Sequence, residues 1–243
     1  MRRRHGWDVR REWVVPCPGV VPALNTLVRA FTRPGDRIIV QQPVYHPFML
    51  AAENNGRRVL NNGLLFEGGR YVMDLDDLRK KVVSRRVKLL RVWSAHNPVG
   101  RLWTRDERAD TGRSFVDNGI IVVSDEIHSD LVLGGRRHVP FASLSEDLAA
   151  RSVVCTAPSK TFNLAGLQPA NLIIPDAKLR RDYSVAQEEC GFFSANVFGT
   201  VALEAAYTYG EPWLEALLQY IEGNLRFLSE FITRKMPRIT LIE

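Results

Sequence analysis

Short, almost uninterrupted apolar runs recur along this chain, and each stops abruptly at polar or turn residues. Arg37-Ile38-Ile39-Val40 runs into Gln41-Gln42-Pro43-Val44-Tyr45, and Lys88-Leu89-Leu90-Arg91-Val92-Trp93 into Ser94-Ala95-His96-Asn97-Pro98. Ile120-Ile121-Val122-Val123 leads to Ser124-Asp125-Glu126, Ser152-Val153-Val154-Cys155 to a segment centred on Lys160, and Asn171-Leu172-Ile173-Ile174 to Pro175. Runs without polar alternation suit strands buried on both faces. Stretches with helical spacing of apolar residues lie between them: Pro22 to Phe31, Asp74 to Val83 and Thr104 to Asn118. Thr104 and Glu107 have the spacing of a capping box. Ala195 to Lys235 reads as a long helical stretch broken at Gly210-Glu211-Pro212. Strands alternating with helices predict an α/β fold in three layers, a mainly parallel sheet flanked by helices.

Such a sheet binds ligands beyond the carboxyl ends of its strands. Tyr45, Asn97, Asp125 and Lys160 all follow predicted strand ends, with room between Asn97, Asp125 and Lys160 for crossover helices. A lysine just past a buried strand is poorly explained by packing, and its amine can condense with an aldehyde cofactor. Asp125 is suited to a protonated pyridine nitrogen, Asn97 to a phenolic oxygen and Tyr45 to the face of a ring. The backbone N–H groups after Pro18-Gly19 can receive a phosphate at the start of the first helix. Together these point to pyridoxal 5'-phosphate, with no metal required. Each residue alone has an ordinary explanation: Asp125 and Asn97 as turn residues, Tyr45 as packing, His128 as a satisfied core or surface histidine. Only their joint arrangement argues for a site.

The 243 residues allow one large domain, or one domain and part of another. Lys and Arg outnumber Asp and Glu by 33 to 27, but the basic cluster is confined to Arg2, Arg3, Arg4, Arg10 and Arg11. No interleaved aromatics or nucleic-acid-binding motif accompany it, so no nucleic-acid partner is expected. No apolar run is long enough for a membrane span, and no signal core follows the first arginines, so a cytoplasmic protein is expected. Cys17, Cys155 and Cys190 have no metal-ligand spacing and read as free thiols, with Cys155 in the core.

The longer motifs carry a family resemblance. His96-Asn97-Pro98-Val99-Gly100-Arg101-Leu102-Trp103-Thr104-Arg105-Asp106-Glu107 resembles the HNPxGRxWTxxE signature of fold-type I pyridoxal-phosphate enzymes. Ser124 to Leu131, Ala157 to Gly166, Pro18 to Leu24 and Pro43 to Phe48 resemble the MalY/PatB branch of the class I/II aminotransferase superfamily, the cystathionine or cysteine-S-conjugate β-lyases. The likeness covers essentially the whole chain, in the family's order.

This resemblance implies that Lys160 holds the cofactor and removes the substrate Cα proton. It implies Asp125 as the pyridine-nitrogen partner, Asn97 and His128 as neighbours of the phenolic oxygen, and Tyr45 as the stacking ring. The backbone of Val20 and Val21, with Ser159, is implied to contact the phosphate. It also implies a small amino-acid substrate and a homodimer. Residues 1–235 are implied to form the cofactor-binding large domain, with 236–243 the start of a small domain and the chain truncated at both ends relative to the family. Where many aminotransferases carry serine and arginine around the lysine, this chain has Ala157 and Gln168; Ala95 stands where the family usually has proline. Arg108-Ala109-Asp110-Thr111 interrupts the expected apolar face of its helix. The expected activity is carbon–sulfur β-elimination. Two alternatives stand beside it: an aminotransferase, and a truncated chain with only a non-catalytic or protein-binding regulatory role.

Overall fold

The computed structural model describes residues 1–84, 86–93 and 95–242, with only the backbone described for 90–93. Ser94, at the head of the predicted turn before Asn97, therefore lies outside the described residues. In chain order the elements are α1 (Arg2–His5), β1 (Val14–Cys17), α2 (Val20–Phe31), β2 (Arg37–Val40), α3 (Pro47–Glu53) and β3 (Arg58–Asn61). A hairpin of β4 (Leu65–Glu67) and β5 (Arg70–Val72) leads to α4 (Leu75–Val82), β6 (Val87–Trp93), α5 (Arg105–Val116) and β7 (Ile121–Asp125). Next come α6 (Glu146–Ala150), β8 (Ser152–Thr156), α7 (Pro158–Thr161) and β9 (Ala170–Ile173). The chain continues through α8 (Ala177–Glu189), α9 (Val197–Tyr209) and α10 (Glu211–Lys235).

Seven strands form one sheet in the order β1-β9-β8-β7-β6-β2-β3. β3, β2, β6, β7 and β8 are parallel neighbours, while β9 runs antiparallel to both β8 and β1. The run around Asn171 thus reads correctly as a strand but is the one reversed member of the sheet. Consecutive strand residues face opposite layers. Ile38, Val123 and Val153 pack with α2, α3 and α8 residues such as Leu24, Phe48 and Tyr183. Ile39 and Val122 pack on the other face with Leu78, Phe115 and Leu148 from α4, α5 and α6. The three-layer expectation is therefore met.

The capping box is present: Glu107 N–H donates to Thr104 Oγ1 at 3.2 Å and Thr104 N–H to Glu107 Oε2 at 2.7 Å. The long C-terminal stretch breaks where expected, with Gly210 between α9 and α10. β1, β3 and α8 are among the elements that the apolar pattern does not show. β1 contains Pro16 at the sheet's edge, where a missing N–H is tolerated. β3 is the opposite edge and has no buried residue. α8 buries only Tyr183, Ala186 and Gln187, which is too thin a stripe to stand out. α9 and α10 bury only Gly199 and Leu214. Phe198, Tyr209, Trp213 and Phe227 are exposed, an apolar surface larger than isolated side chains explain. Among the described residues, no helix is long and apolar enough to cross a membrane.

Candidate active site

The parallel order β2-β6-β7-β8 sets four strand ends side by side. Tyr45 follows β2, Asn97 follows β6, Asp125 closes β7 and Lys160 follows β8. The register pairs Asp125 with Trp93 on one side and Cys155 on the other. Asp125 was expected just beyond its strand and is instead the final strand residue. It is 2% exposed, and its Oδ1 accepts the Ile127 N–H at 3.0 Å as the chain turns away.

Lys160 lies in the single turn α7, which Pro158 starts from an extended Ala157. The lysine is exposed and Ser159 half-buried. Phe162 anchors the end of this turn, edge-on to Tyr207 at 5.7 Å and tilted against Trp213 at 6.0 Å. Asn163 takes a left-handed φ of 56°, which asparagine accommodates better than most residues. His128 is half-buried and hydrogen-bonds the Ala95 backbone. Burial, followed by the nearby Lys160 charge, lowers its pKa and favours the neutral ring. That interaction puts His128 within electrostatic reach of Lys160, beside the turn carrying Asn97.

The Tyr45 and Asn97 loops are tied directly, because Tyr45 N–H donates to the Asn97 carbonyl at 3.1 Å. Both loops contain cis prolyl bonds, Gln42–Pro43 and Asn97–Pro98. His96 links them from below, its Nε2 lying 2.8 Å from the Pro43 carbonyl. Burial pushes its pKa down to about 4, against opposing hydrogen bonds to the Pro43 and Gln41 backbone. Tyr45 is 41% exposed and presents a ring to solvent at this edge.

β1 has the same direction as β8, since β9 reverses against both, so Cys17 also ends at the carboxyl edge. Gly19 caps α2 at φ 106°, a conformation that side chains rarely tolerate. The first helical bond there runs from Ala23 N–H to the Gly19 carbonyl. The Val20 and Val21 N–H groups precede it, and Pro22 has none. Burial pushes the Cys17 thiol up to about 12, and all three cysteines are free, with Cys17 and Cys155 buried as core residues.

In sequence, Arg108 stands only as a break in the apolar pattern of its helix. In the fold, Arg108 and Glu126 form a fully enclosed ion pair at 2.7 Å. Glu126 also accepts from Ser124 Oγ at 2.9 Å and Phe141 N–H at 2.8 Å, and its Oε2 lies 2.7 Å from His138 Nε2. Burial alone would raise the Glu126 pKa, but His138 and Arg108 reverse this and hold it at about 2. The cluster begins at Glu126, one residue beyond Asp125. His138 meets His5 edge-on at 5.4 Å, and His5 and Arg4 both reach Asp130 Oδ1 at 3.0 Å. Thr161, next to Lys160, donates to the other Asp130 oxygen at 3.4 Å. A charged residue at a core-facing helical position was the available signal; its partners are not visible in sequence.

A cavity of about 350 Å³ lies beside this network, lined by residues including Met1, Arg4, His5, Asp130, Ala157 and Tyr207. It touches none of Tyr45, Asn97, Asp125 and Lys160, so the strand-end cluster is the better candidate for chemistry. Among the described residues, no group of His, Cys, Asp and Glu is arranged to hold a metal.

The family model for aminotransferase class I and II matches residues 1–240. Cystathionine β-lyase PatB of Bacillus subtilis is 46% identical over all 243 residues of the chain, which cover 63% of that relative. Protein MalY of Escherichia coli is 30% identical over 97% of the chain and 60% of its own length. The crystal structure of cystalysin from Treponema denticola, which contains a pyridoxal 5'-phosphate cofactor, matches with a TM-score of 0.97 and 36% identity. That match covers 100% of this chain and 62% of cystalysin. The chain thus spans about three-fifths of these relatives' lengths.

Proposed function

The chain belongs to the class I and II aminotransferase family, and from this membership we propose that it forms the cofactor-binding part of a pyridoxal-phosphate-dependent carbon–sulfur β-lyase. Its substrates are cystathionine or cysteine S-conjugates, cleaved with water to a thiol, pyruvate and ammonia. The observation that carries this reading is the placement of Asp125 and Lys160 at the ends of adjacent parallel strands, one buried and one exposed.

The residues present fit the cofactor. Asp125 offers a buried carboxylate to a protonated pyridine nitrogen. Asn97 and His128 would hydrogen-bond the phenolic oxygen, and Tyr45 would supply the stacking face. Val20 and Val21 N–H, with Ser159, are suited to the phosphate. Ala157 and Gln168 supply no serine hydroxyl or guanidinium there, so the backbone carries more of the phosphate binding. When bound, pyridoxal phosphate supplies the electron sink that stabilises negative charge at the substrate Cα. Lys160 would hold the cofactor, and its amine would take the substrate Cα proton. The Cβ–S bond would then break, the sulfur leaving as a thiolate that takes up a proton from water.

The same reading makes residues 1–235 the large domain and 236–243 the entry to a further domain, in a cytoplasmic homodimer. The free cysteines support a reducing compartment. The exposed apolar side chains of α9 and α10 support additional protein contacts.

The test is to load the protein with pyridoxal phosphate, reduce with borohydride and map the pyridoxyl peptide. The expected label is on Lys160, with pyruvate and thiol released from a β-substituted cysteine. Label elsewhere, or none on folded protein, overturns the site. Amino transfer to a keto acid without pyruvate release replaces the lyase with an aminotransferase.

A further inference from the structure

Beside the turn that carries Asn97, a second cavity of about 360 Å³ is lined by Arg70, Arg101, Trp103, Arg105, Arg136 and Arg137. These arginines come from β5, the turn after β6, the first residue of α5 and the loop after β7. Among the described residues, only Arg101 of these is ion-paired, with Glu107 at 2.7 Å, and its guanidinium lies 4.8 Å from the Trp103 ring centre. Among the described residues, no carboxylate lies within ion-pair distance of Arg70, Arg105, Arg136 or Arg137. Convergent, uncompensated like charges repel and create a strongly positive local field.

One further observation points to a ligand. Trp103 is 3% exposed, yet its indole N–H has no hydrogen-bond partner, and the buried Nε of Arg101 has none. Buried donors are nearly always satisfied, and exceptions often mark an absent ligand or water. The helix α5 also starts at this cavity, since Thr104 and Arg105 line it, but its first turn is closed by the Thr104–Glu107 capping box and carries Asp106, so the positive field rests on the guanidiniums.

We infer that this cavity binds a small organic polyanion carrying adjacent oxyanion groups, of the diphosphate class. Guanidinium forks match phosphate oxygens in pairs. A single carboxylate would leave most of the four unpaired guanidiniums uncompensated. The volume is that of a small-molecule site. The site is separate from the phosphate position at Val20 and Val21, but it abuts the catalytic edge: Trp103 packs edge-on against His96 at 5.7 Å, next to Asn97.

The test is isothermal titration of inorganic pyrophosphate into protein loaded with pyridoxal phosphate and dialysed, at low salt. The triple variant Arg105→Gln/Arg136→Gln/Arg137→Gln removes exposed charges without disturbing the core. It is expected to weaken binding at least about tenfold. The charge-matched control Arg11→Gln/Arg226→Gln/Arg238→Gln is expected to stay within about twofold of the parent. Equal weakening by both triples, or no binding at about 1 mM pyrophosphate, overturns the site. Tighter binding of citrate overturns the diphosphate class. Tighter binding of a single-stranded oligonucleotide, lost in the same variant, makes the surface a nucleic-acid face instead.

Discussion

Arg108 Nη2 donates to Glu126 Oε1 across 2.7 Å, in a pair whose side chains are both closed off from solvent. The pair lies one residue beyond Asp125, the end of β7, and Glu126 N–H extends the strand by donating to the Cys155 carbonyl at 2.9 Å. The buried Glu126 carboxylate is held by His138, Ser124, the Phe141 N–H and the Arg108 guanidinium, although the buried Arg108 Nε has no hydrogen-bond partner among the described residues. The arrangement fixes the chain direction immediately after the candidate pyridine partner.

Breaking this pair from one side leaves a buried charge. Glu126→Gln is expected to destabilise the fold by roughly 3 kcal/mol, and Arg108→Leu by a similar amount. The double variant should lose less than the two single losses combined, by roughly 1–3 kcal/mol. Urea unfolding of the four proteins checks this; strictly additive losses would show that the two side chains do not depend on each other.

The pH dependence has a defined sign. Folded His96 takes a proton only near pH 4, whereas the unfolded chain takes one near 6.5. The unfolded state therefore binds more protons in that window, and stability falls as pH drops from 6.5 to 4, by about 3 kcal/mol for this residue. His128 shifts in the same direction. Glu126, depressed from 4.5 to about 2, contributes stability that is present above 4.5 and lost as pH falls towards 2. His96→Gln should flatten the upper limb and spare the lower one. An unchanged upper limb in denaturation measured at stepped pH would contradict the His96 assignment.

Asp125→Asn keeps an oxygen for the Ile127 N–H while removing the charge. The fold is expected to persist, with turnover falling on the order of a hundredfold or more. Parallel circular dichroism and pyruvate-release assays separate these effects, and near-normal turnover would remove Asp125 from the proposed site.

Gly112 sits where α5 meets α6. A Cβ there would lie 2.5 Å from Leu148 Cδ2 and 3.1 Å from Phe141 Cζ. Gly112→Ala is expected to cost about 1–3 kcal/mol through overpacking, outweighing a helix-propensity gain of up to about 1 kcal/mol. Gly223→Ala in α10 meets open space and should stabilise by up to about 1 kcal/mol. Thermal melts of both variants should move in opposite directions.

The alternation of wholly apolar runs with helical spacing was sufficient to specify an α/β sheet, because a strand buried on both faces leaves no polar period. The polar strand ends at Tyr45, Asn97, Asp125 and Lys160 were legible for the same reason: polar residues break the apolar runs where the chain leaves the core. Edge elements were not legible, since β1 and β3 have one side open to solvent and Pro16 interrupts the pattern. Nor was the reversal of β9, because apolarity reports burial and not direction. Arg108 appeared as a flaw in its helix until packing brought Glu126 and His138 to it. Local sequence can therefore determine which residues are hidden and where the chain turns. Which hidden charges meet is decided only in the tertiary structure, because those partners are distant in the chain and are selected by the order and register of the strands.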